Sequence, residues 1–583
     1  MSHSSHVRAG IYSGSTMAGA HQKLVELLHR LRRSTAAVLR GAMSLLCSLS
    51  SAYAQHQVKE RVARSRRALR CGAGQAWRRA VTALPPAAGP LFMHVVYFLA
   101  ISCLGYGLLR ELKVRDPGRT PSGIDRFFTA VSAATVSSMS TVEMEVFSDG
   151  QLVVLTVLML VGGEVFISLV GLASKWSKLR RKAIDKSRRV ESHGEIALQA
   201  SARVADIAAD VESPTSITSM AEEASHPMMD ANTLRHNAVR ALFYIVLAIL
   251  VVVHVLGAVA IAAYVHASPG ARRKLRAKSL NPWTFAVFTT VSTFSSCGFM
   301  PTNENMAVFS RDTLLQLLLV PQALVGNTLF PPLVAACVWA AAATTRREEL
   351  VELARKGRAV AGGYYHLMPA RRCWMLAATV AAFLAAQVAL VCAMEWGGAL
   401  QGMSPWEKVV NALFLAVNSR HTGESTVDLA TLSPAILVLF VLMMYLPPYA
   451  TWYPLEENSN AKDNNAENQG IRWLKSTVLP QLSYLTIFVI AICITERRKL
   501  KEDPLNFSVL SIIVEVVSAY GNVGFSMGYS CSRQINPDHL CTDRWTGFVG
   551  RWSDSGKLIL IFVMFFGRLK KFSMNGGKAW KHS

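Results

Sequence analysis

The chain has 583 residues, of which 51% are apolar or aromatic and 17% charged, with 61 Lys+Arg against 38 Asp+Glu and a formal net charge of +23. Soluble domains are about one quarter charged, so this deficit excludes a string of globular domains, and the composition also excludes collagenous, disordered and disulfide-scaffold classes. The ten Cys are scattered, with no CxxC pair or Cys/His array at metal-ligand spacing, which leaves no zinc module or thioredoxin-like site and makes membrane burial the natural reading.

Residues 1–85 read as a basic, mostly mobile cytoplasmic extension. They lack the short apolar core behind a basic start that a secretory signal needs, and Ala36–Ala54 is apolar enough for an interfacial helix. Eight stretches then approach the roughly twenty residues that cross a hydrocarbon core. They are Leu91–Leu112, Leu152–Leu172, Ala241–Val265, Thr313–Ala343, Cys373–Met394, Pro434–Tyr449, Thr477–Thr495 and Ser555–Lys571. The spans pair into repeat A (86–175), repeat B (239–345), repeat C (373–453) and repeat D (474–583), joined by linkers at 176–238, 346–372 and 454–473.

An even number of spans puts both termini on one side. Residues 1–90 carry fourteen Lys/Arg against two Glu, and basic runs open the segments after Lys175 and after Arg346. The excess of cations beside these segments places them, and both termini, in the cytoplasm. Two opposite-side segments, 272–276 and 497–501, are basic as well. The net positive charge suits a face near anionic lipid. No aromatic-interleaved basic groove or DNA-reading motif points to nucleic acid.

Each pair of spans is bridged on the outer side by a segment too short and too polar to cross, at 124–148, 282–306, 405–429 and 504–530. Each couples a short apolar helix to a polar strand. Non-helical backbone at membrane depth survives only when buried in protein or lining a water-filled cavity. Four such strands meeting on an axis would present carbonyl oxygens in place of a cation's hydration shell. The expected fold is an all-α membrane protein of four membrane–pore-loop–membrane repeats around a pseudo-fourfold pore, with eight transmembrane helices and four re-entrant pore helices.

The loops SerSerMetSerThrValGluMetGluValPheSer (137–148), CysGlyPheMetProThrAsnGluAsn (297–305), AsnSerArgHisThrGlyGluSerThrValAsp (418–428) and GlyAsnValGlyPheSer (521–526) resemble the signatures of the plant high-affinity potassium transporter (HKT) family, within the Trk/Ktr/HKT superfamily. TyrLeuProProTyr (445–449) and PheGlyArgLeuLysLysPhe (566–572) are similar to that family too, and the likeness runs from about residue 91 to 582. The resemblance implies passive movement of Na+, or Na+ with K+, through one chain in the plasma membrane, assembled as a homodimer and needing no cofactor. It places the ion at backbone carbonyls of a filter formed by Ser140, Gly298, Gly423 and Gly524. The flanking residues are Ser138, Met139, Thr141, Ser296, Cys297, Phe299, Thr422, Glu424, Asn522, Val523 and Phe525. Ser at the first position with Gly at the other three resembles the mainly Na+-selective group. A Cβ where glycine's backbone angles are required costs roughly 1–2 kcal/mol and displaces a carbonyl.

The resemblance also places Arg568 on the permeation path below the filter, as a barrier to a second cation; the alternative is that Arg568, Lys570 and Lys571 snorkel to the surface. Glu164 lies inside a span and reads as a helix tie ahead of an ion ligand. Glu143, Glu304, Glu424 and Asp428 lie just outside the filter strands, either concentrating cations or bonding loop backbone. Pro331/Pro332 and Pro447/Pro448 interrupt their spans. Cys531 and Cys541 flank an external loop and suit a disulfide. Asn506 opens a glycosylation sequon close to the fourth pore helix, and His254 and Met375 read as packed within helices.

Na+ transport with channel-like mechanism is the favoured reading, and K+ uptake or Na+/K+ symport by the same fold is its rival. An enzyme or receptor would need a catalytic signature or domain, and no Walker A, zincin, kinase or GxSxG sequence occurs in a suitable context.

Overall fold

The computed structural model describes residues 90–185, 231–449, 481–535, 541, 543 and 545–573. The expectations for 1–85, for most of 176–238 and for all of 454–473 lie outside the described residues. Among the described residues all regular structure is helical.

Unit A consists of α1 (Pro90–Glu111), the short α2 (Gly123–Ala134), and α3 (Asp149–Gly162) continued by α4 (Glu164–Asp185). Unit B runs through α5 (Ala231–Ala267), α6 (Pro269–Ala277), the short α7 (Pro282–Phe294), α8 (Thr313–Gly326) and α9 (Phe330–Thr345). After α10 (Glu348–Lys356), unit C has α11 (Ala370–Glu395), the short α12 (Pro405–Asn418) and α13 (Pro434–Tyr445). Unit D has α14 (Gln481–Thr495), α15 (Arg497–Glu502), the short α16 (Val509–Gly521) and α17 (Asp554–Ser573).

The four short helices share one sequence device at their outer ends. Ser122, Asn281, Ser404 and Ser508 each accept a hydrogen bond from a backbone N–H of the first turn, and Pro282 and Pro405 occupy a first-turn position where no N–H is needed. A side-chain cap satisfies donors that would otherwise be orphaned where these helices begin.

Packing closes a ring. The second helix of each unit lies against the short helix of the next: α3 on α7, α8 on α12, α13 on α16 and α17 on α2. The short helices are therefore enclosed, and their inner halves are buried throughout, as in Phe128–Ala134 and Ala412 with Phe414–Asn418.

The spans differ from the expectation of eight continuous helices. Among the described residues Phe92–Glu111, Thr233–Ala267 and Ala370–Glu395 are long and apolar enough to cross alone. Leu152–Leu172 is instead two helices bent by 57° at Gly163, and Thr313–Ala343 two helices bent by 81° after Gly326. In unit C the helix stops at Tyr445, ahead of the two prolines, rather than at Tyr449. Pro331 and Pro332 do not break a helix; they start α9, and the break falls just before them.

Both bends follow a glycine in close contact with backbone, and the same contact recurs in the unbroken α17. A Cβ on Gly162 would overlap the carbonyl of Ala134, one on Gly326 that of Phe294, and one on Gly567 that of Tyr520. In three units, glycine lets the second helix touch the carbonyl end of its own short helix. The 346–372 segment is also more than a linker: Leu350, Leu353, Ala361, Tyr364 and Leu367 are buried against α4, α5 and α9.

Replacing Gly162 or Gly326 by Ala forces a methyl group into a carbonyl and is expected to destabilise the fold by about 1–3 kcal/mol. Gly107, with nothing within 4 Å of its Cβ position, should tolerate Ala without loss. Thermal unfolding of the purified protein in detergent distinguishes the two outcomes.

Candidate functional site

After each short helix the chain turns back along the enclosed centre. Residues Val136 and Ser138 have φ of 51° and 44°, Ser296 and Gly298 of 60° and 86°, and Asn522 and Gly524 of 49° and 109°, while Gly423 has 69°. In the same three loops Ser137, Cys297 and Val523 donate their backbone N–H to Ser132, Ser292 and Ser518, at 2.9–3.0 Å. This shared pattern places Ser138 in the position of Gly298 and Gly524.

The expectation that Ser140 fills that position is therefore corrected by two residues. Ser140 lies outside the left-handed region, and its Oγ donates to Val142 O at 2.5 Å. Phe128-Thr129-Ala130-Val131-Ser132 set on Phe288-Thr289-Thr290-Val291-Ser292 aligns Ser138 with Gly298 without a gap, a signal the motif resemblance obscured. A β-branched residue such as Val136 at positive φ is uncommon and marks an over-determined backbone.

The loops contact one another in the same cyclic order as the helices. A Cβ on Gly298 would overlap the carbonyl of Thr422, and one on Gly423 would lie 2.5 Å from that of Val523. A Cβ on Gly524 would overlap Ser138 Oγ and lie 3.1 Å from Ser137 O. Each glycine thus faces the carbonyl just before the corresponding residue of the next unit. Ser138 uses the space left by the hydrogen of Gly524 to lodge its hydroxymethyl group, and is itself buried.

Side chains behind the strands hold this backbone. Asn522 Nδ2 donates to Ser137 Oγ at 2.7 Å and to Met564 O at 3.2 Å. Ser518 Oγ accepts from Gly524 N at 3.0 Å. Thr293 Oγ1 donates to Glu424 Oε1 at 2.7 Å, tying unit B to unit C. Glu515 accepts from Ser526 Oγ at 3.0 Å and Val549 N at 3.2 Å. Thr422 Oγ1 bonds to Asn418 Oδ1. Met139, Cys297, Phe299, Val523 and Phe525 are buried, as are Thr141 and Ser296.

Outside the strands lies a cavity of about 260 Å³ lined from all four loops, among others by Ser138, Ser140, Gly298, Gly423, Gly524 and Ser526. Its rim carboxylates have partners. Glu143 pairs with Arg119 at 3.0 Å, Asp428 with Arg533 at 3.4 Å, and Lys278 joins Glu145 and Glu304 at 2.6 and 2.5 Å. Partial burial opposes the charge on Lys278, yet the hydrogen bonds and charges of Glu145 and Glu304 prevail and raise its pKa. Glu424 is turned inward. Cys531 and Cys541 form a disulfide with 5.9 Å between Cα atoms, in the loop above.

At the inner end Arg568 is 2% exposed, which rules out snorkelling. Its guanidinium donates to Gly162 O and lies 5.7 Å from the centre of the Phe98 ring. Glu164 accepts from Tyr449 Oη at 3.2 Å and lies 3.7 Å from His366 Nε2, so it ties unit A to unit C and to the segment between B and C. Arg420, below the third loop, donates to Pro447 O at 2.5 Å where α13 has ended. Lys278, Thr293, Arg420, His366 and Glu515 escaped the sequence reading, because most of their partners lie far along the chain.

Gly298→Ala should reduce cation transport at least about tenfold, since the added methyl group must displace the Thr422 backbone. Gly528→Ala, at positive φ but with nothing within 4 Å, should retain transport, losing only about 1 kcal/mol of local stability. Tracer uptake normalised to surface protein provides the comparison.

Known proteins share these sequences. A TrkH family model, described as cation transport protein, matches residues 219–575. The probable cation transporter HKT1;4 of Oryza sativa subsp. japonica is 82% identical over 499 residues, covering 85% of this chain and 98% of its own length. The sodium transporter HKT1 of Arabidopsis thaliana is 45% identical over 481 residues, covering 80% and 91%. Cation transporter HKT1;3 of Oryza sativa subsp. japonica is 43% identical over 493 residues, covering 84% and 91%. Among solved structures, the potassium transporter TrkH from Vibrio parahaemolyticus is similar at a TM-score of 0.44 and 16% identity, over 84% of each chain. The chain belongs to the TrkH family of cation transport proteins, among the HKT cation transporters.

Proposed function

We propose that this cation transporter conducts Na+ passively through the centre of the ring, with Ser138, Gly298, Gly423 and Gly524 as its selectivity filter. The observation that carries the reading is the cyclic contact of these residues, each glycine set against the carbonyl preceding the next position. Carbonyl oxygens fixed in a low-dielectric wall replace the hydration shell of a monovalent cation. No covalent step is involved.

Ser138 supports Na+ over K+. Its side chain crowds the Gly524 strand, so the fourfold set of oxygens is perturbed on the A–D side, and a loss of about 1.4 kcal/mol for one ion gives a tenfold preference. The relative from Arabidopsis thaliana is named a sodium transporter. The Lys/Arg excess supports a plasma-membrane orientation with both termini cytoplasmic. Arg568, buried at the foot of α2 beside Gly162, acts as a charge barrier below the filter.

Reversal potentials recorded while external Na+ is exchanged for K+ test the reading. Ser138→Gly should raise relative K+ permeability about tenfold, whereas Ser140→Gly should leave it within about twofold; the opposite pattern, or wild-type preference for K+, overturns the assignment. Arg568→Gln should increase current by about tenfold without altering the Na+/K+ ratio, because a like charge within several ångströms opposes entry by at least 1–2 kcal/mol. An unchanged current would remove Arg568 from the path.

A further inference from the structure

The loop between units B and C, together with the helices on either side of it, encloses a groove that ion conduction does not use. It lies between the first ten residues of α9, the short α10 and the start of α11, and has a volume of about 880 Å³. One wall is apolar: Ala335, Trp339, Leu367, Met368 and Trp374 line it, above a buried cluster of Met368, Cys373, Leu376 and Val380. Trp339 and Trp374 are 73% and 77% exposed. Trp374 lies in the second turn of α11 and Trp339 within α9, and exposed indoles are the residue type enriched at the headgroup level of a bilayer.

The opposite wall is cationic. Arg355, Lys356, Arg358 and Arg372 line the same groove. Arg358 is positioned from within, donating to Tyr365 O at 3.1 Å and Leu367 O at 3.3 Å while covering the Tyr365 ring. Lys356 has a surface pair with Glu352 at 2.9 Å, whereas Arg355 is exposed and makes no ion pair among the described residues. α10 carries Glu348 and Glu349 in its first turn and Arg355 and Lys356 in its last, so the cations collect at the groove end of the helix.

We infer that this groove binds an anionic phospholipid of the adjoining leaflet. Its headgroup would lie among Arg355, Lys356 and Arg372, and an acyl chain along the apolar wall between the two indoles. Charge complementarity favours this occupant, and the groove joins the bilayer directly through exposed tryptophans. Basic pockets between membrane helices on the cytoplasmic side recognise anionic headgroups. The cytoplasmic leaflet follows from the orientation proposed above; the binding chemistry does not depend on it.

Full-chain protein in detergent is offered equimolar phosphatidylserine and phosphatidylcholine, and retained lipid is read by native mass spectrometry. Wild type should retain phosphatidylserine in at least about tenfold excess. Arg355→Gln with Arg372→Gln should abolish that excess, and Arg272→Gln with Arg273→Gln, on α6, should not. Trp339→Ala with Trp374→Ala should lower retention of both lipids, and millimolar inorganic phosphate should not displace phosphatidylserine. Equal retention of the two lipids by wild type, which requires no variant to fold, overturns the inference. So does full displacement by phosphate, which would identify a free-anion site, or a wild-type chain that holds a second copy of itself at this face and no lipid. The readout is binding rather than current, so a negative result leaves the conduction pathway standing, and a failed conduction test leaves the lipid site standing.

Discussion

Close approach of backbone to backbone, at places where no Cβ fits, is the constraint on which this structure depends. It operates at two levels. Gly298, Gly423 and Gly524 let each central strand meet the carbonyl of the next strand, and Gly162, Gly326 and Gly567 let three of the outer helices rest on the carbonyl end of a short helix. Dense packing between rigid segments transmits any displacement, because close-packed interiors deform little. The spacing of the central strands is therefore coupled to helix contacts well outside them.

The polar groups behind the strands serve the same end by a different force. Buried carboxylates and amides are tolerated where they are hydrogen-bonded, and here Glu424, Glu515 and Asn522 each bond to a residue beyond their own element, at Thr293, Val549 and Ser137. At the outer rim, charges are matched in pairs between loops instead of being left open to attract ions. Glu145 and Glu304, from units A and B, share Lys278. That arrangement ties the outer ends of the first two loops together.

Much of this architecture was legible in the sequence because it rests on local signals. The apolar runs, the caps at Ser122, Asn281, Ser404 and Ser508 and the glycines of three loops all stand at readable spacings. The first loop has no glycine to anchor its register, and SerSerMetSer offers two serines at the same parity, so Ser138 is distinguished from Ser140 by the ungapped match of 128–132 to 288–292, the backbone angles and the contact with Gly524. The fold-back of 346–372 did carry a signal, Leu350 and Leu353 three apart on one face of a charged helix, but a basic linker composition masked it. The prolines suggest a break at their own position, but the break in α8/α9 falls after Gly326 and the prolines begin the next helix.

The bond from Asn522 to Ser137 spans 385 positions of chain. As synthesis proceeds from the amino end, units A, B and C can dock side by side while the seam between first and last stands open, with Ser137, the Gly162 carbonyl and the cleft beside α2 still waiting for α16 and α17. Loop closure over such a separation comes late, since its entropy must be met before the contact returns anything. The ring is therefore complete only once the last unit has been made and has docked on the first.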